Sequence, residues 1–405
     1  MEEKQKVVRG KALIIGGEHQ NTLGVIESLG QKGVSSLVVI IGPILNGYVL
    51  KSKYIECGKI CKSDEDAVAA IKFFLSNEQK KIVAIACSDD AANILDKHYY
   101  ELCQLLVIPT VKEAGSLIAW TDKDKMTETA KRLGITTPAS WLISDAAIPE
   151  DIVYPCVIKP ITSVKHGKAG FAKCANKDEL QAYLDAKKDG EPVQVQQFVE
   201  KDFEFQFIGC SLNSGEEVII PGRSHIERTT GFNNITFLRY GQNDSSFNDT
   251  VALSEIFVKE TGYSGLFSIE YMRGKDGKDY FLEMNFRNDG NCIAVTSAGT
   301  NLPFIWYLYS SGGDYKGELA KSEVKTVYLM PEFSFLLSML SGEVPLREWL
   351  ADRKKTTCLL TKFEDDIEPY KEYCRIMKPK VFLGIIKFIL LKLHIYSFVK
   401  RLTRN

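Results

Sequence analysis

The sequence predicts an α/β protein of two or three domains that ends in a mostly helical C-terminal extension. Residues 11–115 alternate short apolar strands with helical stretches, which is the βαβ pattern of a parallel sheet. A β-hairpin with carboxylates on one face lies near residues 265–287, and the last 30 or so residues are apolar and basic. A chain of 405 residues is long enough for this number of domains.

Four apolar segments are predicted to be buried strands of the first domain, with two helices between them. The strands are Ala12–Ile15, Ser36–Ile41, Ile82–Ala86 and Leu105–Pro109, and the helices are Asn21–Gln31 and Asp64–Asn77. Gly16 and Gly17 end the first strand, and Asn21 or Thr22 is expected to cap the following helix. The first turn is not GxGxxG, so a dinucleotide fingerprint is absent.

Two loops of this domain leave two interpretations open. Glu18–Thr22 follows the first strand, and Ser88–Asp90 follows the third, so both are expected at the same sheet edge. Each loop could hold an anion at a helix N-terminus, or could be a plain tight turn.

The middle of the chain mixes helices with shorter strands. A helix over Lys123–Leu133 is expected to end at Gly134, since Pro138 follows shortly. A short strand over Tyr154–Pro160 carries Lys159 near its end. A helix at Lys177–Lys187 and a strand at Val193–Val199 come next.

The hairpin is the most informative segment of the chain. Asp276-Gly277 is predicted to be the turn centre, because both positions must tolerate positive φ. That turn opposes Glu270 to Glu283 and Ser268 to Asn285 on one face. The other face is apolar and pairs, among others, Tyr271 with Leu282.

Two directly opposed glutamates repel each other, so a cation is expected between them. A lysine or arginine could serve, but Mg²⁺ fits better because it accepts carboxylate and amide oxygens and also binds phosphates. An exposed hairpin with a solvated charged face is the alternative.

Composition excludes several classes of function. The chain is 45% hydrophobic and 25% charged with a net charge of −1, which is ordinary for a globular protein and gives no general attraction to nucleic acid. Its ten cysteines form no CxxC motif and its five histidines are widely spaced, so a zinc site is not expected. We expect reduced, mostly buried cysteines in a cytoplasmic protein, since the N-terminus lacks the apolar core of a secretion signal.

The C-terminal segment Val381–Leu402 is predicted to be a basic amphipathic helix, over about 380–402. Its polar residues recur at seven-residue steps and include Lys380, Lys387 and Arg401. From residue 375 to 405 there are eight Lys or Arg and no acidic residue. Peripheral contact with the inner face of a membrane is one interpretation. Docking on the protein's own core or on a second subunit is the other.

The order of these motifs resembles the ATP-grasp superfamily, in its branch similar to carbamoyl-phosphate synthase and D-aspartate ligase. The resemblance assigns Lys123 and Lys159 to the nucleotide phosphates, the backbone of Gln196, Gln197 and Val199 to adenine, and Glu204 to the ribose. It assigns Glu270, Glu283 and Asn285 to the metal, with Arg287 as the catalytic arginine beside them. One departure is the expected lid loop, Thr162–Gly170, which has only two glycines. Lys165 or Lys168 is therefore expected to contact phosphate there.

The resemblance implies an ATP-dependent ligase that joins a small carboxylate to an amine through an acyl phosphate. ATP and Mg²⁺ would be required, with Mn²⁺ as an alternative metal, and a homodimer is one expected state. The implied domains are a Rossmann-like domain over 1–115, an ATP-grasp domain over 116–310 with a small lid lobe at about 140–195, and an extension over 311–405. A phosphotransferase acting on a small carboxylate and a non-catalytic nucleotide-binding protein are the alternatives.

Overall fold

The fold is that of a computed structural model, which describes residues 10–43, 47–144, 148–160, 172–186, 192–229 and 236–392. The chain divides into two compact units. The large unit comprises Met1–Met126, Phe205–Glu270 and Glu283–Asn405, and the small unit comprises Thr127–Glu204 and Tyr271–Leu282. The small unit is broader than the lobe expected at about 140–195, since it also contains the outer part of the hairpin.

The large unit begins with a five-stranded parallel sheet. Its elements are β1 (Gly10–Gly16), α1 (Gln20–Gly30), β2 (Val34–Ile41), β3 (Ile55–Cys61), α2 (Asp64–Phe74), β4 (Ile82–Ala86), α3 (Asp89–Lys97), α4 (Tyr99–Leu102) and β5 (Leu106–Val107). The strand order is β3-β2-β1-β4-β5, and each pairing is parallel. Leu13, Ile14 and Ile15 of the central strand are fully buried, as expected for a sheet covered on both faces.

Two details of this domain differ from the sequence prediction. Strand β3 was not predicted, because its Cys, Gly and Lys residues give little apolar pattern and much of the strand is solvent-accessible. The cap of α1 is His19, whose Nδ1 accepts a hydrogen bond from the Asn21 amide at 3.3 Å, and not Asn21 or Thr22. Asn21 and Thr22 lie inside the helix, where both are buried.

The small unit contains a four-stranded antiparallel sheet. Its elements, beginning with a helix that starts in the large unit, are α5 (Lys123–Arg132), β6 (Ser140–Ile143), β7 (Cys156–Pro160), β8 (Ala172–Cys174), α6 (Lys177–Ala186) and β9 (Val193–Gln197). The strand order is β6-β9-β7-β8. Cys156, Ile158 and Val195 are fully buried and form its core together with Leu180 of α6.

A second, mainly antiparallel sheet follows. Its region comprises β10 (Lys201–Leu212), β11 (Glu217–Ile219), β12 (Arg223–Thr229), β13 (Thr236–Gly241), α7 (Asn248–Thr261), β14 (Gly265–Gly274), β15 (Asp279–Asn285), α8 (Cys292–Ala298) and α9 (Leu302–Ser311). The C-terminal extension adds α10 (Tyr315–Leu319), β16 (Val327–Met330), α11 (Glu332–Leu340), α12 (Leu346–Lys355), β17 (Cys358–Leu359) and α13 (Glu368–Lys392). The sheet order is β15-β14-β10-β12-β13-β16-β17, with β11 beside β10. The extension is therefore mostly helical but also completes the sheet.

The hairpin turn is one residue longer than predicted. The Gly277 amide donates to the Gly274 carbonyl, and the Gly274 amide donates to the Lys278 carbonyl, both at 2.9 Å. Gly277 has φ +80°, a conformation that glycine adopts without a steric penalty. Close to the turn, the Tyr271 ring therefore contacts Phe281 and not the predicted Leu282. The register predicted from an Asp276-Gly277 centre is wrong at this end of the hairpin.

The ten cysteines are all free, and seven of them are buried. Among the described residues, no helix is long and apolar enough to cross a bilayer. The expected lid loop Thr162–Gly170 lies outside the described residues, as does the predicted helix beyond Lys392.

Candidate active site

Two strands of the large unit bring together the acidic residues predicted to bind metal. The Asn285 side chain donates to Glu270 Oε1 at 3.3 Å and to Ser268 Oγ at 3.4 Å. Gln206, on β10, donates to the same oxygen of Glu270 at 3.2 Å. The predicted sharing of one face by Glu270, Ser268 and Asn285 is therefore confirmed at this end of the hairpin.

The charge of Glu270 is only partly compensated in this arrangement. Burial raises the pKa of Glu270 to about 7, with further increases from the nearby Glu283 and Asp289. Arg287 and the Gln206 hydrogen bond act in the opposite direction and are outweighed. A carboxyl in such surroundings favours either a proton or a cation.

Glu283 already has a cationic partner in the protein. The Lys123 ammonium at the start of α5 lies 2.7 Å from Glu283 Oε2, with the Lys123 side chain 74% exposed. A lysine was one of the cations expected between the two glutamates, and Lys123 pairs with one of them, Glu283. Because the lysine is on a flexible, largely exposed side chain, this ion pair adds little stability and is easily exchanged.

The donor set fits a hard divalent cation. Among the described residues, no group of three or more His, Cys, Asp or Glu side chains is arranged to hold a metal. The predicted set instead combines two carboxylates with one amide, which is the oxygen chemistry that Mg²⁺ accepts. The Asn285 nitrogen faces Glu270, whereas its oxygen accepts from Arg287 at 3.2 Å. Rotation of the amide by half a turn would direct its oxygen toward a cation held by the two carboxylates.

Arg287 lies two residues beyond Asn285 and is held by acidic neighbours. Its Nε donates to Asp89 Oδ1 at 2.9 Å, and its Nη1 lies 3.7 Å from Asp289 Oδ2. Burial acts to lower the pKa of Arg287, but Asp289, Asp89 and Glu270 together raise it. The guanidinium is therefore charged and fixed in orientation, with 18% of its side-chain surface exposed.

The segment that carries Arg287 is fastened to the first sheet. The Asn288 amide donates to the Ala86 carbonyl at the end of β4 at 2.9 Å. Asn21 of α1 donates to the carbonyls of Asn288 and Cys87 at 2.8 and 2.9 Å, and the Asn288 side chain donates back to the Asn21 oxygen. Asn21 and Asn288 hold the segment of Arg287, and Gln206 holds Glu270; none of these roles was predicted from the sequence. The sequence offered one indication of Asn288, which is that it directly follows Arg287 at the end of the hairpin.

Arg287 lines a cleft of about 750 Å³ in the large unit, within the size range of small-molecule sites. The first domain contributes both loops singled out in the sequence, through Glu18, His19, Ser88 and Asp89. The C-terminal extension contributes another part of the lining: Glu332, Leu360, Tyr373, Ile376, Met377 and Lys380. The cleft thus lies between the first domain and the end of β15, and its lining combines charges of both signs with apolar surface.

The arginines of the Pro221–Tyr240 segment have structural partners. Arg223 stacks 3.7 Å from the Phe247 ring centre and contacts Asp244 at 3.2 Å. Arg228 pairs with Asp352 at 2.9 Å. Arg239 pairs with Glu227 at 2.9 Å. These contacts within the protein give each of the three arginines a structural role.

The remaining predicted nucleotide residues belong to the small unit. Lys159 lies on β7, where its backbone pairs with Gln194 of β9, but its side chain is outside the described part. The Gln197 amide donates to the Ala139 carbonyl at 2.8 Å, and its side chain accepts from the Ala139 amide at 3.3 Å. The backbone N–H of Gln197 is thus engaged within the protein. Gln196 pairs with Val157 and Ser140 on its two sides.

The last residue predicted to hold adenine lies beyond β9. Val199 lies in the loop between β9 and β10. Its Cγ1 lies about 3.1 Å from where a Cβ at Gly274 would project, so the loop approaches the hairpin turn within the small unit. Glu204, on β10, pairs with Lys201 at 2.8 Å, and about one third of its side chain is exposed.

Comparison with known proteins identifies the middle of the chain. The family model of the ATP-grasp domain matches residues 128–294. A search of curated protein sequences found no match. Solved structures with the same fold include phosphoribosylglycinamide synthetase from Anaerococcus prevotii, with 16% identity, TM-score 0.59 and coverage of 78% of this chain and 79% of that one. An L-amino acid ligase from Bacillus licheniformis has 15% identity, TM-score 0.52 and coverage of 75% and 74%.

A third similar structure was solved with a nucleotide. It is the biotin carboxylase domain of the Hydrogenobacter thermophilus 2-oxoglutarate carboxylase, in complex with MgADP and bicarbonate. Its identity is 17% and its TM-score 0.55, and the match covers 74% of this chain and 69% of that domain. At these identities, the similarity establishes a shared fold.

Proposed function

Because this chain contains an ATP-grasp domain, we propose that it is an ATP-dependent ligase that joins a small carboxylate to an amine. The proposal rests on the order of the side chains at the end of β15. Glu283 and Asn285 belong to the acidic cluster, and Arg287, two residues further, lines the cleft. Successive residues of a strand are about 3.3 Å apart, so a phosphate bound at the metal site would lie close to a substrate bound at Arg287.

Separate groups of residues are proposed to hold the nucleotide and the metal. The resemblance to the family supports Lys123 and Lys159 for the phosphates, the backbone of Gln196, Gln197 and Val199 for adenine, and Glu204 for the ribose. Glu270, Glu283 and Asn285 would hold Mg²⁺, or Mn²⁺ in its place. A bound divalent cation would offset the negative charge of the β- and γ-phosphates.

The proposed reaction has two displacements. An oxygen of the substrate carboxylate attacks the γ-phosphorus, the bond from that phosphorus to the β–γ bridging oxygen breaks, and ADP leaves with an acyl phosphate remaining. The amine then attacks the carbonyl carbon, the C–O bond to phosphate breaks, and phosphate leaves while the nitrogen loses a proton. Arg287 would orient the carboxylate by paired hydrogen bonds, because its planar fork matches two oxygens. It would also stabilise the charge that develops in transfer.

The polarity of the cleft supports a small, charged substrate. Basic groups come from Arg287 and Lys380, and carboxylates come from Glu18, Asp89 and Glu332. The ten free cysteines are compatible with a reducing compartment, which supports a cytoplasmic location.

The test is a screen of full-length protein with ATP, Mg²⁺ and pools of small carboxylates and amines, read out as release of ADP and phosphate. Hydroxylamine replaces the amine in a parallel reaction, because it traps an acyl phosphate as a hydroxamate. We expect carboxylate-dependent hydroxamate, and none with Glu283→Gln. ADP release with stoichiometric phosphorylated product and no free phosphate would instead identify the phosphotransferase. Absence of both ATP binding and turnover would contradict the proposal.

A further inference from the structure

The helix that forms one wall of the cleft also presents an apolar face to solvent. Five large apolar side chains of α13 are exposed within eight residues, and they are Phe382, Leu383, Ile385, Ile386 and Ile389. Phe382 and Leu383 are 62% and 65% exposed. Clusters of this kind on a soluble surface mark an interaction site, whereas single exposed apolar residues are ordinary.

The opposite face of the same helix is packed. Val381 and Phe388 pack against a buried apolar cluster that includes Phe335 and Leu340 of α11. A Cβ added at Gly384 would lie 3.1 Å from Leu340 Cδ1, so the two helices approach closely there. Positions 381, 384 and 388 recur at helical spacing, which places them on one side. The exposed apolar residues therefore form the outer side of a helix whose inner side is already used.

The charge around this face favours an anionic partner. Lys378, Lys380 and Lys387 are exposed on the same helix, and the sequence has no acidic residue after Glu372. Lys380 and Lys387 are seven residues apart and so lie along one edge of the helix. A symmetric contact of this face with a second copy would bring the lysines of the two copies toward one another, and like charges would repel. An anionic lipid surface has the complementary charge and accepts the apolar side chains.

The base of the helix is fastened to the first domain next to the cleft. Ser52 Oγ donates to Asp366 Oδ2 at 2.5 Å, the Lys53 amide donates to the same oxygen at 3.0 Å, and Tyr54 Oη donates to Asp365 at 2.6 Å. Tyr373, one turn into the helix, packs against Tyr48 with ring centres 4.7 Å apart and the ring planes tilted by 42°. A surface that binds the outer face of α13 would therefore also fix the orientation of the cleft.

We propose that the exposed apolar face of α13 binds the surface of an anionic phospholipid bilayer and that this contact holds the cleft at the membrane. The helix lies along the surface, with the lysines at the level of the headgroups. The role of the cleft in this inference rests on the proposed ligase function, but the binding of the helix to lipid does not. The substrates that suit such a position are carboxylates or amines carried on a lipid or exposed at a membrane.

The experiment is flotation of the full-length protein with vesicles of phosphatidylcholine alone or with about one third phosphatidylglycerol, a mixture that tests the electrostatic part of interfacial binding. We expect flotation with the anionic vesicles only, reduced several-fold by high salt because the attraction is screened. Phe382→Ser/Leu383→Ser/Ile386→Ser should lower the bound fraction by about tenfold or more, since it removes three apolar anchors. Lys378→Glu/Lys387→Glu should also lower it.

Matched controls separate this effect from general surface polarity and from failure of the ligase proposal. Phe73→Ser/Leu350→Ser removes two exposed apolar side chains elsewhere and should float like the unmodified protein. Glu283→Gln should float normally although it is inactive. The proposal is overturned if the protein never floats, if the triple variant floats normally, or if the triple variant only converts a dimer to a monomer in sedimentation without changing lipid binding.

Discussion

Arg287 Nε donates to Asp89 Oδ1 at 2.9 Å, which joins the end of the hairpin to the start of α3. The two partners differ in exposure, since the Arg287 side chain is 18% exposed and that of Asp89 is 69% exposed. Asp289, which is 7% exposed, contacts the same guanidinium. We therefore expect the orientation of Arg287 to depend mainly on its buried neighbours and to persist when Asp89 is substituted.

We expect Arg287→Lys to lower kcat/KM by about 100-fold, because an ammonium cannot make the paired hydrogen bonds of a guanidinium. Asp89→Asn should change kcat/KM by less than about threefold, since an exposed ion pair contributes little. Steady-state ADP release, with substrates found by the screen, measures both variants. If Arg287→Lys had the kcat/KM of the unmodified protein, Arg287 would have no direct role in the reaction.

Glu283→Gln is expected to lower kcat by at least about 100-fold, because the cation loses a charged ligand and with it part of the offset to the phosphates. ATP binding, measured by calorimetry, should change little, because adenine and ribose contacts are untouched. Unfolding should also be little affected, since the Lys123 partner is largely exposed. Glu216→Gln is the matched control, as it breaks an exposed pair with Lys259 of the same 2.7 Å length. Normal turnover by Glu283→Gln would show that the metal assignment is wrong.

Arg228→Ala should destabilise the large unit by about 2 kcal/mol, because it leaves the Asp352 carboxylate, 8% exposed, without its cation. Arg239→Ala removes a more exposed pair with Glu227 and should change the free energy of unfolding by less than about 1 kcal/mol. Urea unfolding followed by circular dichroism compares the two. Equal effects would mean that burial of Asp352 does not set the difference.

The pH dependence of stability should include a contribution from Glu27. Burial raises the pKa of Glu27 to about 9, assisted by Asp366 and Asp365, and Ser52 Oγ lies 3.3 Å from Glu27 Oε1. The folded protein holds this proton while the unfolded chain releases it near the ordinary value of 4.5. Stability from this group is complete below about pH 4.5 and declines as the pH rises toward 9.

Glu27→Gln removes that titration and keeps the shape of the side chain. The variant should therefore gain stability relative to the unmodified protein as the pH is raised from 6 to 9, by about 1–3 kcal/mol at the alkaline end. Thermal unfolding at several pH values provides the measurement. Parallel curves for the two proteins would show that Glu27 does not hold a proton in the folded state.

The segments that sequence predicted well are those with a strong local pattern. Strand β4 was predicted with its observed bounds, Ile82–Ala86, because five consecutive apolar residues leave few alternatives. Helix α5 begins at Lys123 as expected. The acidic face of the hairpin followed from simple alternation, which places Glu270, Glu283 and Asn285 together.

What the sequence did not reveal depends on contacts between distant segments. Strand β3 has too weak a pattern to stand out, and it is defined by its pairing with β2. The hairpin turn is one residue longer than predicted, because Gly277 has positive φ and Asp276 does not. Asn21 and Asn288 are 267 positions apart, and no local rule links them. No local rule predicts either that residues of the C-terminal extension line the cleft beside the first domain.

The pair of asparagines that pins the strand end to the first sheet has an evolutionary consequence. It fixes the reactive end of the cleft independently of the wall formed by Glu332, Tyr373 and Met377. A new substrate could thus be accommodated by exchanging the C-terminal segment, while the residues proposed for phosphoryl transfer keep their places. If the proposed ligase function holds, grafting that segment between similar ATP-grasp proteins should transfer preference for the acceptor and leave nucleotide use unchanged.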